Sequence, residues 1–253
     1  MDNHKTSAKI FPPHGGGTAA FAYNAALAAM SPALLAWFGY RVAGNGKSRE
    51  GWPERLGWPT KSQGMIVPRA NVWIHAVSVG EVTVAASILK SYAEMPEAYR
   101  TEITTITSTG RRMAENLLPD TNAFFLPVDI LPAVRAVVHR VQPLCLALCE
   151  KEIWPNLISE AKRSGAGVAL VNGQVTESRV EKARKMGWIY RWALGNIDRF
   201  LMQFDADADR IIALGAPSDR VEVVGNVKFD QAGEPLSSEA INALALTYGI
   251  DAA

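Results

Sequence analysis

Cysteine is scarce, with two residues in 253. Cys145 and Cys149 lie inside one apolar run and make neither a C-x-x-C pair nor a zinc set, so buried thiols in a reducing compartment are expected. Excess charge of either sign is missing as well: 26 Lys+Arg against 25 Asp+Glu leave +1. That balance excludes a chain-wide basic surface, and no nucleic-acid partner is expected. G-x-G-x-x-G and the Walker sequence are absent, which excludes the dinucleotide and P-loop classes. No cluster of metal-ligand residues is apparent, so neither a metal nor a cofactor is expected. Internal repeats and low-complexity segments are lacking too. What is present is a 48% hydrophobic composition, enough to bury a full core and too rich for disorder.

A further absence is local. Positions 10–40 contain no Asp, Glu, Lys or Arg. Within them, residues 18–40 are rich in Ala, Leu and aromatics and match the length that spans a bilayer core at ~1.5 Å per residue. Asn24, Ser31 and Pro32 interrupt the run and weaken its hydropathy. Residues 41–70 then carry Arg41, Lys47, Arg49, Arg55, Lys61 and Arg69 against Glu50 and Glu54, an excess that fits a cytoplasmic flank. The expectation is a flexible tail at 1–17, a membrane-associated helix at 18–40 and a basic juxtamembrane segment at 41–70. An ordinary buried helix at 18–40 is the alternative.

Beyond residue 70, short apolar runs alternate with helical stretches. The runs are Val72–Val77, Ile103–Ile106, Ala123–Leu126, Leu144–Leu148, Val168–Val171, Phe200–Gln203 and Val221–Val224. Helices are expected from Glu81 to about Tyr92, from Arg111, at Leu131–His139, from Pro155, at Glu177–Leu194 and at Ala206–Leu214. Such alternation predicts an α/β fold, a Rossmann-like doubly wound parallel sheet over residues 71–230.

In this architecture chemistry collects where strand ends meet helix starts. Four loops qualify. Ser78-Val79-Gly80-Glu81 offers a glycine for close approach and a carboxylate at a helix start. Thr107-Ser108-Thr109-Gly110 offers hydroxyls and N–H groups for sugar or phosphate oxygens. Glu150-Lys151-Glu152-Ile153-Trp154-Pro155-Asn156 carries two carboxylates, and Gly225-Asn226-Val227-Lys228 a cation. Each has a plain structural alternative. Glu81 can serve only its helix dipole, Glu150 and Glu152 can form salt bridges, Trp154 can be packing, and His75 reads as a core histidine. Arg179, Lys182, Arg184, Lys185 and Arg191 read as a solvated helix face.

The motifs W-I-H-A-V-S-V-G-E (73–81), T-T-I-T-S-T-G (104–110), L-P-V-D (126–129), E-K-E-I-W-P-N-L (150–157), V-N-G-Q-V-T-E-S (171–178), L-G-A (214–216) and G-N-V-K-F-D (225–230) occur in that order. With E-R-L-G (54–57), they resemble the N-terminal half of the bacterial 3-deoxy-D-manno-octulosonic acid (Kdo) transferases of lipopolysaccharide synthesis. The resemblance implies a GT-B glycosyltransferase whose first Rossmann-like domain receives a lipid A precursor and whose second holds CMP-Kdo. It implies that Glu81 is the general base, and that Glu150 and Lys228 stabilise the transition state. Ser78, Gly80, Thr107, Ser108, Thr109, Gly110 and Asn172 are expected to bind substrate, and residues 18–40 with their basic flank to place the protein on the cytoplasmic face of the inner membrane. At a helix N-terminus Glu81 is expected to stay ionised, a competent base of weak driving force. Ser108 stands where the family commonly has proline, and Gln174 where it commonly has arginine. Residues 231–253 are expected to begin a linker to a donor domain outside this chain, leaving the chain inactive alone. The competing reading is a non-catalytic module that binds lipid A precursor or a partner.

Overall fold

In the computed structural model, which describes residues 10–44, 50–58, 71–95, 100–184, 186–230 and 247, each apolar run contributes a strand. The strands are β1 (Asn71–His75), β2 (Arg100–Thr105), β3 (Asn122–Phe125), β4 (Pro143–Cys149), β5 (Gly167–Gly173), β6 (Arg199–Met202) and β7 (Val221–Val223). They form one seven-stranded sheet in the order β3-β2-β1-β4-β5-β6-β7, and every adjacent pair is parallel. The order reverses between β1 and β4, the switch point at which such sheets open a crevice.

The helices are α1 (Gly17–Gly44), α2 (Trp52–Arg55), α3 (Val79–Ala93), α4 (Ser108–Leu117), α5 (Leu131–Val141), α6 (Pro155–Arg163), α7 (Glu177–Arg184), α8 (Gly187–Gly195), α9 (Asp205–Ala213) and α10 (Val227–Asp230). Successive strand residues point to opposite faces, so two cores form. Trp73, Phe124, Leu146, Leu148, Leu170 and Phe200 pack with α5, α6 and α8 on one face. Ile74, Val82, Ala85, Leu89 and Ile103 fill the other, under α3 and α4. Each large side chain so buried contributes about 1.5–3 kcal/mol.

Two helices differ from the sequence reading. The run expected to be one helix over 177–194 breaks between α7 and α8. Gly187 is a poor interior residue, and α8 buries Ile189, Trp192 and Leu194 whereas the charged α7 buries Ala183. Helix α4 begins at Ser108, ahead of Arg111, because the Thr107 hydroxyl accepts the Gly110 N–H at 3.0 Å.

The expected loose tail is held down where it is described. Phe11 N–H donates to Asp198 Oδ1 at 2.8 Å, and the Arg220 guanidinium lies 3.8 Å over the Phe11 ring. His14 N–H donates to Asn196 Oδ1 at 2.8 Å, and Asn196 Nδ2 donates back to the His14 carbonyl at 3.1 Å. Gly16 then lets the chain press on Trp192, since a Cβ there would stand 2.4 Å from Nε1. Helix α1 takes up the 18–40 run in its 28 residues, with Pro32 inside it. Among the described residues no helix is long and apolar enough to cross a membrane. Positions 1–9 of the tail, 45–49 and 59–70 of the basic segment (with Lys47, Arg49, Lys61 and Arg69), and the linker expected at 231–253 apart from residue 247 lie outside the described residues.

At the amino-terminal edge of the sheet, Lys162 Nζ sits 2.6 Å from Asp198 Oδ2, with side-chain exposures of 1% and 6%. Asp198 also accepts the Val168 N–H at 2.8 Å besides that of Phe11. Breaking such a pair strands a buried charge and costs about 3–5 kcal/mol. Asp198→Leu is therefore expected to lower unfolding free energy by that amount in urea titration. Lys162→Met should cost less, because it leaves both backbone donors satisfied. Equal losses in the two variants would show that the amide bonds carry nothing.

Candidate active site

Ser78 closes the amino end of α3 and places Glu81 in the first turn, a serine-to-glutamate spacing that makes a capping box. Glu81 Oε2 accepts the Val77 N–H at 2.9 Å, and its Oε1 lies 3.3 Å from the Ser78 hydroxyl. Ser78, Val79 and Gly80 are exposed beside it, whereas Glu81 is 9% exposed. Burial pushes its pKa up, and the nearby Glu150 charge adds to the rise. The Val77 amide, Ser78 and Lys151 oppose it without cancelling it. The shift thus runs opposite to the one a helix start favours: desolvation wins, and the group is a stronger base than its position at a helix start implies.

Glu150 follows β4 with φ 56°, and Asn172 nears the end of β5 with φ 51°. This left-handed backbone costs a non-glycine residue roughly 1 kcal/mol or more. Two neighbouring strand ends both bear that cost, and their side chains meet. Lys228 Nζ, from α10, lies 2.8 Å from Glu150 Oε1, and Asn172 Nδ2 lies 3.4 Å from the same oxygen. Asn172 Oδ1 accepts the Val227 N–H at 3.1 Å, which ties α10 to β5. Glu81, Glu150 and Lys228 therefore share the carboxyl edge, with Lys228 half exposed and able to face a ligand.

The hydroxyl loop stands beside them. Thr107 Oγ1 donates to the Val77 carbonyl at 3.2 Å, and a Cβ on Gly110 would meet that carbonyl at 3.2 Å, so glycine sets the spacing between the two loops. Thr107 is consumed as a cap, and Thr109 is the exposed hydroxyl. Ser108 is the first residue of α4, a position at which proline is equally at home, so serine there leaves the helix start intact. Glu152 Oε2 accepts the Trp154 indole N–H at 2.8 Å. Gln174, Lys151 and half-buried Arg179 line a recess beside Glu150. His75 is fully buried with Nδ1 3.0 Å from Thr104 Oγ1, and burial pushes its pKa down to about 3. It is a core histidine, as its strand position predicted. Both cysteines are free, and burial pushes the Cys145 thiol up to about 11. Among the described residues no group of three or more His, Cys, Asp or Glu could hold a metal ion.

Two supporting groups had no assigned role in the sequence. Glu54 is 2% exposed and accepts Arg111 Nη1 at 2.9 Å and the Phe125 N–H at 2.8 Å, joining the E-R-L-G patch to α4. The guanidiniums of Arg55 and Arg111 lie 4.2 and 5.0 Å from the Phe125 ring centre. Asp129 of L-P-V-D accepts the Asn156 and Leu157 N–H groups at 3.1 and 3.0 Å and so caps α6 from another loop. The clue was available, since an aspartate follows a strand and a Pro-Asn helix start lacks a cap of its own.

A family model described as 3-deoxy-D-manno-octulosonic-acid transferase (kdotransferase) matches residues 50–231. The 3-deoxy-D-manno-octulosonic acid transferase of Bordetella pertussis is 33% identical over 220 residues, 83% of this chain and 50% of that protein. A bifunctional glycosyltransferase/methyltransferase of Fusobacterium nucleatum is 31% identical over 169 residues, 66% of this chain and 26% of that protein. The chain thus spans half or less of these curated relatives. The S. aureus MnaA–UDP co-structure superposes with a TM-score of 0.50 at 11% identity over 69% of this chain and 51% of that one, a likeness of fold alone.

Burial raises Asp129 from the ordinary 3.8 to about 6, against the pull of its donors. Between those values the folded chain binds more protons than the unfolded one. The stability owed to this group is therefore full below the window and is lost as pH rises through it, by about 3 kcal/mol at most. Asp129→Asn is expected to abolish that slope in the variant, so that the stability difference between parent and variant changes with pH in urea unfolding at pH 4 to 6.5. Parallel profiles would refute the shift.

Proposed function

Because this chain belongs to the 3-deoxy-D-manno-octulosonic acid transferase family, we propose that it forms the acceptor half of an enzyme that transfers Kdo from CMP-Kdo to a lipid A precursor. The observation that carries the reading is the meeting of Glu81, Glu150 and Lys228 at one edge of the sheet. Glu81 takes the proton of the acceptor hydroxyl as its oxygen bonds to the anomeric carbon of Kdo, and the bond from that carbon to the CMP phosphate breaks. Its raised pKa supplies driving force for that proton transfer. Lys228, held by Glu150, offsets negative charge on the departing phosphate. Thr109 and Ser78, both exposed, are the hydroxyls available to the acceptor sugar. Most of the CMP-Kdo site belongs, on this reading, to the length of the relatives that this chain does not span.

The 253-residue chain alone is expected to give no transfer of labelled Kdo. Fused to the remaining half of the Bordetella pertussis relative, it should transfer. Glu81→Gln keeps the shape, removes the base and should lower the rate by about two to four orders of magnitude. Near-normal turnover in that variant would remove Glu81 from the role.

The same reading places the chain on the cytoplasmic face of the inner membrane, through α1 and the cations that follow it. Phe21 and Met30 of α1 are 77% and 56% exposed, and apolar groups so placed favour a lipid interface. The chain should float with anionic phospholipid vesicles and be released by salt, because each cation near such a surface contributes about 1 kcal/mol. A chain that stays in the aqueous fraction at low salt would defeat the assignment.

A further inference from the structure

Two neighbouring side chains of α1, Tyr23 and Asn24, are both spent on one cluster. Tyr23 Oη donates to Asp129 Oδ2 at 2.8 Å, and its ring meets Trp192 edge-on at 5.9 Å. Asn24 and Asn156 exchange amide hydrogen bonds, at 3.0 Å from Asn24 Nδ2 and 2.9 Å from Asn156 Nδ2. Asn156 Nδ2 also donates to the Asp129 carbonyl at 2.6 Å. Asn156 is 1% exposed and Asp129 8%, whereas Tyr23 and Asn24 are half-buried.

The cluster sits at the far end of the loop that carries Glu150. That loop is fixed at its near end, where Glu150 N–H donates to the Val171 carbonyl and the Glu150 carbonyl accepts Gln174 N–H, both at 3.0 Å. At the other end Trp154 precedes α6 without giving a side-chain cap, and Pro155 has no N–H to give. The first free amides, of Asn156 and Leu157, are held by Asp129 alone. Helix α1 therefore touches the group that holds the first free amides of α6, at the far end of the loop.

We propose that Tyr23 and Asn24 are positioning residues: through Asp129 and Asn156 they set the loop from Glu150 to Trp154, so that the placement of α1 and the placement of Glu150 are coupled. The importance of Glu150 rests on the transferase reading; the coupling itself does not.

The test is amide hydrogen exchange of the full chain, read for residues 150–158 against β1 and β2. Asn24→Leu leaves Asn156 without its partner and should speed exchange at 150–158 about tenfold, the equivalent of one lost hydrogen bond. Strands β1 and β2 should keep their rates. Tyr23→Phe retains the ring contact with Trp192 and should give a smaller acceleration at the same residues; it carries the test if Asn24→Leu fails to fold. Phe21→Ala, on the exposed side of α1, should change nothing there. A loop at the parental rate in both variants overturns the proposal, as does equal acceleration of β1 and β2, which marks mere destabilisation. In the fused enzyme, Asn24→Leu should lower kcat about tenfold with acceptor KM unchanged. Unchanged kcat against an active parent overturns the link to Glu150, whereas an inactive parent defeats the transferase reading and leaves the exchange result standing.

Discussion

Seven parallel strands deliver their carboxyl ends to a single edge, and most of the loops there run into a helix start. Unpaired backbone N–H groups therefore gather along that edge. Carboxylates settle there at tolerable cost because donors already point outward. Glu81 takes the Val77 amide and Asp129 takes two amides of α6. At the opposite edge Asp198 needs a buried lysine as well as backbone donors. The polarity of the sheet thus decides which acids can be reactive and which are locked.

Burial sets the second condition. The dipole of α3 favours an ionised Glu81, yet removal from water and the field of Glu150 outweigh it. Glu150 reaches its place through a left-handed backbone that also recurs at Asn172. Those two strained residues stand at adjacent strand ends and both hold α10, Glu150 through its ion pair with Lys228 and Asn172 through the Val227 amide. Backbone strain of this kind persists only where surrounding contacts over-determine it, and here the contacts are those of β4, β5 and α10.

Much of this was legible in the residues. Most strands announced themselves as apolar runs, because a sheet covered on both faces buries most of its positions, although His75, Thr104 and Thr105 are buried inside it as well. Ser78 and Glu81 stood at capping-box spacing, and the ordered motifs pointed to the family. Other features were not legible. Gly187 hinted at a break but could not show that two helices with different buried faces would replace one. Asn24 looked like a flaw in an apolar run, since hydropathy counts a polar group and not its partner 132 residues away. The pairing of Lys162 with Asp198 and the protonation bias of Glu81 depend on burial, which follows from the assembled fold.

The strap at Phe11 and His14 has a consequence in time. Its partners, Asp198 and Asn196, lie 187 and 182 residues further along the chain. At a synthesis rate of about 5–20 residues per second, roughly 10–40 s separate their appearance. Throughout that interval α1 exists without the surface it will rest on, its apolar side chains free to meet whatever is nearest the ribosome. Docking of α1 is thus a late event, and the helix chooses its first neighbour before the rest of the protein has been made.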